Sequence, residues 1–282
     1  MATEAIEDQR REIYEIAEAL APTWEARRDD IERVCAPVRE WMLRELAPRE
    51  GDTVLELAAG TGDTGFEAAA LVGEGGRLIA SDFSPAMLEA CRRRGAELGA
   101  RNVEYRIIDA ERIELEDHAV DGVLCRFGYM LMADPAAALV EARRVLRPGG
   151  RLALAVWGAL ERNPFFGIVA ISLVQHGHLP PPEPPGPPAF SMASAERTSG
   201  LVAGSGFGEV RTEEVSVAFE IPDVDEYLSV VADTSGPIGL ALRGLSDPDR
   251  AEIRAEAEDS LARFAAERGY ALPGVVLCAV AS

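Results

Sequence analysis

At 282 residues and 48% apolar composition, the chain is long enough for one large domain with sizeable additions and can bury a substantial core. A formal charge of -20, from 28 basic against 48 acidic residues, sets aside nucleic acid and anionic lipid as partners, because binding either rests on clustered cations. No apolar run approaches the ~18 residues of a membrane span, and residues 1–30 are charged throughout with no signal-peptide core, so a cytoplasmic location is expected.

In chain order, Ile13, Ile16, Ala17 and Leu20 fall at helical spacing, and Ile31, Val34, Val38, Trp41 and Met42 mark a second helix before any strand. From Asp52 onward, short apolar runs alternate with helical stretches, the pattern of βαβ units on a parallel sheet. Strands are predicted at Thr53–Leu57, Arg77–Ser81, Val103–Ile108, Val120–Cys125 and Arg151–Trp157. Ser84-Pro85 and Asp134-Pro135 each supply a helix cap and a first-turn proline, and Arg147-Pro148-Gly149-Gly150 stops the helix before the fifth strand. The four cysteines are scattered among apolar neighbours without C-x-x-C spacing and read as small core residues in a reducing compartment; no metal is assigned.

After Trp157 the alternation lapses. Residues 162–192 read as an inserted helix followed by a stiff connector, Pro180 to Pro188, whose composition favours polyproline II. A helix near Ser194–Ala203 and a strand near Glu209–Val217 follow. A second helical insertion runs from Asp223 to Arg268, with Ile253, Ala257, Leu261 and Phe264 on one face, and Val275–Val280 closes the chain as a buried strand.

Chemistry enters where Val54 to Gly65 reads as a strand running into a glycine loop that opens a helix. Glycines let backbone pass close to a ligand, and the helix N-terminus offers free N–H groups. Gly60, Gly62 and Gly65 satisfy G-x-G-x-x-G, with Asp82 about 20 residues on, so a nicotinamide site is one reading. Against it, Glu56 puts a carboxylate at the end of the first strand, where a pyrophosphate would be repelled and an ammonium welcomed. Asp82 can take two ribose hydroxyls, and Asp109-Ala110-Glu111 ends the third strand near the expected adenine position. Three consecutive strand ends thus carry carboxylates on the edge where open α/β sheets bind ligands.

These stretches resemble the class I S-adenosylmethionine-dependent methyltransferases, and among them the ubiquinone and menaquinone biosynthesis group. The resemblance rests on VLELAAGTGDTG, IASDFSPAMLEACRRR, the DAE after the third strand, and RFGYMLMADPAAALVEARRVLRPGGRLALAVWG, all within residues 52–158. It implies an α/β, Rossmann-like seven-stranded sheet in order 3-2-1-4-5-7-6 with the last strand antiparallel. Residues 1–50 would form a helical cap, and 51–282 the cofactor domain with insertions near 162–192 and 223–270.

Position by position, the resemblance implies Glu56 near the methionine amino group, and Ala58, Gly60 and Gly62 under the methionine and ribose. Ala58 stands where many of these enzymes have a first glycine. Asp82 would hold the ribose, Phe83 and Met87 the nucleoside, Asp109, Ala110 and Glu111 the adenine side, and Arg126 the sulfonium end. Trp24 would lean over the cofactor from the N-terminal helices.

Methyl transfer needs alignment and a dry site more than a base. Were a base used, His176 and His178 in the predicted cover are the candidates, whereas His118 in an acidic loop reads as a surface residue. The expected partner is a small molecule, apolar or aromatic, with homo-oligomerisation left open. The rival readings are an NAD(P)-dependent oxidoreductase and a non-catalytic S-adenosylmethionine-binding protein.

Overall fold

A computed structural model describes residues 2–181 and 188–282. Most of the proline connector, residues 182–187, lies outside the described residues. Two helices precede the sheet, α1 (Ala2–Ala26) and α2 (Arg28–Leu46). The apolar face of α2, with Val38, Trp41, Met42 and Leu46 fully buried, joins the same core as the strands. Its end is set by Ala47, which takes a left-handed conformation (φ 50°) and donates its N–H to the Leu43 carbonyl.

Strands β1 (Thr53–Glu56), β2 (Arg77–Asp82), β3 (Val103–Ile107), β4 (Val120–Arg126) and β5 (Leu146–Trp157) run parallel. They are joined by α3 (Asp63–Val72), α4 (Pro85–Leu98) and α5 (Pro135–Val145). The fully buried β1 and the nearly continuous apolar core of β4 and β5 follow from helices covering both faces. Strands β6 (Val210–Ile221) and β7 (Tyr270–Ala281) complete a seven-stranded sheet of order β3-β2-β1-β4-β5-β7-β6, with β7 antiparallel to both neighbours. The sheet order expected from the resemblance is the observed one. So are the caps: Ser84 Oγ accepts from Met87 N (3.1 Å), and the Asp134 carboxylate accepts from Ala137 N (3.0 Å). All four cysteines are free and buried. No described helix is long and apolar enough to cross a membrane.

Several boundaries differ from the sequence expectation, each for a physical reason. β5 begins at Leu146, because Leu146 pairs with Val120 before the register shifts at the Arg147–Gly150 stretch; the turn is a bulge within the strand rather than a break before it. β6 and β7 pair along twelve residues each, from Val210↔Ala281 to Ile221↔Tyr270, so both outrun their most apolar segments. The region after β6 resolves into α8 (Val224–Thr234), α9 (Gly236–Gly244) and α10 (Asp247–Leu261). Phe264 falls in a short 3-10 turn beyond α10 and is only partly buried.

The segment read as an inserted cover contains α6 (Pro164–Gln175), and one side of this helix is core. Phe165 is 1% exposed, stacks on Phe219 (ring centroids 4.0 Å apart) and meets Tyr227 edge-on, while the Tyr227 hydroxyl donates to the Phe165 carbonyl (2.7 Å). Helix α7 (Ala195–Gly204) then packs beside α5.

Candidate active site

The C-terminal ends of β1 to β5 open onto one cavity of about 2310 Å³. This exceeds the roughly 300–1,000 Å³ of an ordinary single-ligand pocket. Its walls come from the strand-end loops, from α1 and α2, from α6, and from the projecting half of β6 between Ser216 and Ile221.

At the end of β1 the chain turns through Ala58 (φ 50°), Gly60 (φ 55°) and Gly62 (φ 84°) into α3. Ala58 is an L-residue held in the left-handed region, a strain of ~1 kcal/mol or more that glycine would not carry. Ala58 and Gly60 line the cavity. Glu56 lies just beneath them, 3% exposed, its Oε1 accepting from Gly65 N (3.0 Å) and its Oε2 without any partner. Burial pushes the Glu56 pKa well above the usual carboxylate range, and the Arg126 guanidinium partly offsets this.

Gly65 is required by contact rather than by φ. A Cβ there would strike the Glu56 carboxylate and stand 2.9 Å from Leu78 Cδ2. Gly65→Ala is expected to destabilise the fold by ~1–3 kcal/mol, because both neighbours are buried in a packed strand–helix interface. A lowered urea midpoint with an unchanged denaturant slope is the checking measurement.

Asp82 ends β2, 4% exposed, and accepts Gly60 N (2.9 Å) on one oxygen and Ser84 N (3.0 Å) on the other. Burial raises its pKa to about 6 in spite of these backbone donors. Phe83 and Met87 line the cavity beside it, and Tyr14 of α1 meets Phe83 edge-on at 5.8 Å. Asp109 and Ala110 line it at the end of β3.

Glu111 also reaches the cavity, but its carboxylate is already engaged. Oε1 accepts from Asp134 N (3.0 Å), and Oε2 pairs with Arg10 of α1. The α1 helix is also held by Glu18, whose Oε1 accepts from Ser84 Oγ (2.6 Å) and Ala86 N (3.0 Å). Farther along α1, Thr23 Oγ1 donates to the Asp233 carbonyl (2.8 Å), and Arg27, just beyond its end, pairs with Asp233 (2.9 Å) and Glu226. Trp24 lines the cavity from the same helix.

Arg126 ends β4 at the cavity floor, paired with Glu32 of α2, which also holds Arg39 (2.6 Å). The surrounding carboxylates keep Arg126 cationic. Phe127 follows at φ 61°, a conformation rare for a bulky side chain, and stacks on Trp157 at 4.5 Å. Phe166 and Phe219 pack edge-on and tilted against the same indole. This aromatic wall was missed by sequence reading: its members come from β4, β5, α6 and β6, and only the positive φ of Phe127, invisible in sequence, marks the position as special.

Of the residues singled out from sequence, the cavity brings together Trp24, Ala58, Gly60, Asp82, Phe83 and Met87, and likewise Asp109, Ala110, Glu111 and Arg126. Glu56 and Gly62 lie in the shell behind the loop. His176 and His178 do not line the cavity; His176 turns instead to Glu256 (2.9 Å) on α10. His118 is exposed, as expected, with Nδ1 2.9 Å from the Leu146 carbonyl. Among the described residues no histidine reaches the cavity, and the chain contains no lysine.

Residues 36–163 match the profile of the ubiE/COQ5 methyltransferase family. A demethylmenaquinone methyltransferase of Clavibacter sepedonicus is 41% identical over 80 residues, covering 28% of this chain and 32% of that protein. An uncharacterized 37.1 kDa protein in transposon TN4556 of Streptomyces fradiae is 42% identical over 113 residues, covering 40% of this chain and 32% of that protein. The chain thus spans about a third of the length of these relatives. The crystal structure of an S-adenosylmethionine-dependent methyltransferase from Aquifex aeolicus aligns with 25% identity and a TM-score of 0.51, over 70% of this chain and 92% of that one.

Proposed function

We propose that the protein binds S-adenosylmethionine in this cavity and catalyses methyl transfer to a small apolar or aromatic metabolite, at carbon or oxygen. The observation that carries the cofactor is Asp82, buried at the end of β2 on the cavity wall beside the glycine turn and oriented by the N–H groups of Gly60 and Ser84. Behind the turn, buried Glu56 leaves its Oε2 unpartnered. A carboxylate beneath the loop favours a ligand with a cationic group above it, whereas the pyrophosphate of a dinucleotide would meet like charge. This disfavours the oxidoreductase reading.

In this assignment Glu56 acts on the amino group from behind the glycine turn, Asp82 accepts the ribose hydroxyls, Phe83 and Met87 pack on the nucleoside, and Asp109 and Ala110 border the adenine. Glu111 acts through α1, as the anchor that Arg10 grips. When bound, the cofactor supplies a methyl group on a sulfonium, already activated for displacement. The chain's part is alignment and exclusion of water, with the aromatic wall of Phe127, Trp157 and Phe166 holding the acceptor. The cavity's size accommodates cofactor and acceptor together. Since neither histidine nor lysine lines it, the acceptors that suit it best ionise readily or carry an unprotonated nucleophile.

Calorimetric titration with S-adenosylmethionine, S-adenosylhomocysteine, NAD and NADP tests the cofactor, followed by transfer of radiolabelled methyl to a panel of phenols, enols and quinols. Binding of the two sulfur nucleosides alone, with label transferred, is the expected result. Binding of NAD would restore the oxidoreductase reading, and tight cofactor binding without transfer to any acceptor would favour a non-catalytic binder.

A further inference from the structure

Away from the cavity, α6 and α10 bring three metal-binding side chains together. His176 caps the C-terminal end of α6, while Glu252 and Glu256 stand one turn apart on α10 and so share a face. His176 Nε2 lies 2.9 Å from Glu256 Oε1, and Nδ1 lies 3.6 Å from Glu252 Oε2. One ligand atom from each residue can be chosen so that all three lie within 4.8 Å of one another. Ser172, one turn before His176, donates its hydroxyl to Glu256 Oε2 and so orients that carboxylate with its other oxygen toward the imidazole.

We propose that His176, Glu252 and Glu256 form a binding site for a late first-row divalent cation, with Zn²⁺ as the type case. The donor set decides the class. One imidazole with two carboxylates suits Zn²⁺, Co²⁺ or Ni²⁺, whereas Ca²⁺ and Mg²⁺ take oxygen ligands throughout. Three protein donors leave a fourth position to water. Glu252 and Glu256 together carry two negative charges, and a dication between them and the imidazole balances both. The Ser172 hydroxyl supplies the outer hydrogen bond that such sites use to fix a ligand's orientation.

The consequence is mechanical. α6 also contributes Ala170, Ile171 and Val174 to the wall of the large cavity, so a metal joining its end to α10 would clamp that wall. The site stands apart from the cofactor residues and does not depend on the reaction assigned to them.

The test uses the full chain, stripped with chelator and titrated with Co²⁺ and then Zn²⁺. The expected result is one equivalent of Co²⁺ with visible d–d absorption, its displacement by Zn²⁺, and a melting temperature that rises with metal concentration by mass action. Ser172→Ala should weaken affinity about tenfold. Glu252→Gln, at an exposed position, and His176→Ala should each remove the one-equivalent step. Circular dichroism of the variants separates loss of the site from loss of the fold. Absence of a saturable one-equivalent step in the wild type, or its persistence in a folded His176→Ala, Glu256→Gln double variant, overturns the proposal.

Discussion

Asp82→Ala is expected to weaken S-adenosylhomocysteine binding by at least tenfold in a protein that remains folded. The carboxylate is buried at the end of β2 and already oriented by the N–H groups of Gly60 and Ser84, so its lone pairs are fixed for two ribose hydroxyls. Losing charged acceptors of two such bonds costs ~1.5–3 kcal/mol, which is one to two decades in affinity. Calorimetry on wild type and variant reads this directly, and equal affinities would remove Asp82 from the site. The wild type should also show a pH signature. With Asp82 at about 6 in the empty protein, the acceptor form dominates at neutral pH. Protonation removes the acceptor, so the Asp82 contribution to affinity should weaken as pH falls below that value, by ~tenfold per further unit at the limit. In Asp82→Ala this slope should disappear.

Phe165→Ala should produce the largest loss of stability, ~3–5 kcal/mol by chemical denaturation. Its ring is fully buried, stacked on Phe219 of β6 and bounded by Phe166 and Tyr227, and truncation leaves a cavity that this rigid surround cannot fill. The sequence reading treated residues 162–192 as a cover closing over the acceptor. Replacing residues 162–190 by a flexible linker should instead unfold the protein, because Phe165, Val169 and Leu173 of α6 belong to the central core. A linker variant with native near-ultraviolet dichroism would show that the helix can be detached after all.

The part of the cavity assigned to the cofactor was legible in the sequence because its determinants are local. A buried strand, a glycine turn and a helix start occupy adjacent positions around Val54–Gly65, and Asp82 and Asp109 each follow a short apolar run directly. The part assigned to the acceptor was not legible, because it is assembled from distant segments: Phe127, Trp157 and Phe166 meet from the ends of β4 and β5 and from α6, and Phe219 joins them only because β6 and β7 extend so far. That extension is written in weak alternation around Ala218–Ile221 and in a strand interrupted by Pro273 and Gly274, neither of which announces a twelve-residue pairing. The histidines illustrate the opposite hazard. His176 and His178 sit close in sequence to Phe166, yet the last turn of α6 carries His176 round to α10, where Glu256 holds it. Glu111 likewise sits at the expected strand end, but Arg10, more than a hundred positions earlier, occupies its carboxylate.

The way α1 is fastened across the cavity sets the terms on which anything can be exchanged beneath it. The helix and the junction behind it are tied at four places: Arg10 to Glu111, Glu18 to the start of α4, Glu25 to Arg93 farther along α4, and Thr23 with Arg27 to α8. Arginine supplies the cation in each ion-paired tie. The Glu25–Arg93 pair is exposed enough to be screened by salt, whereas the buried Glu111 carboxylate protects the Arg10 tie. Entry and departure of a ligand lying under α1 then become a gated equilibrium in which the helix must first release, and ionic strength acts on its exposed tie.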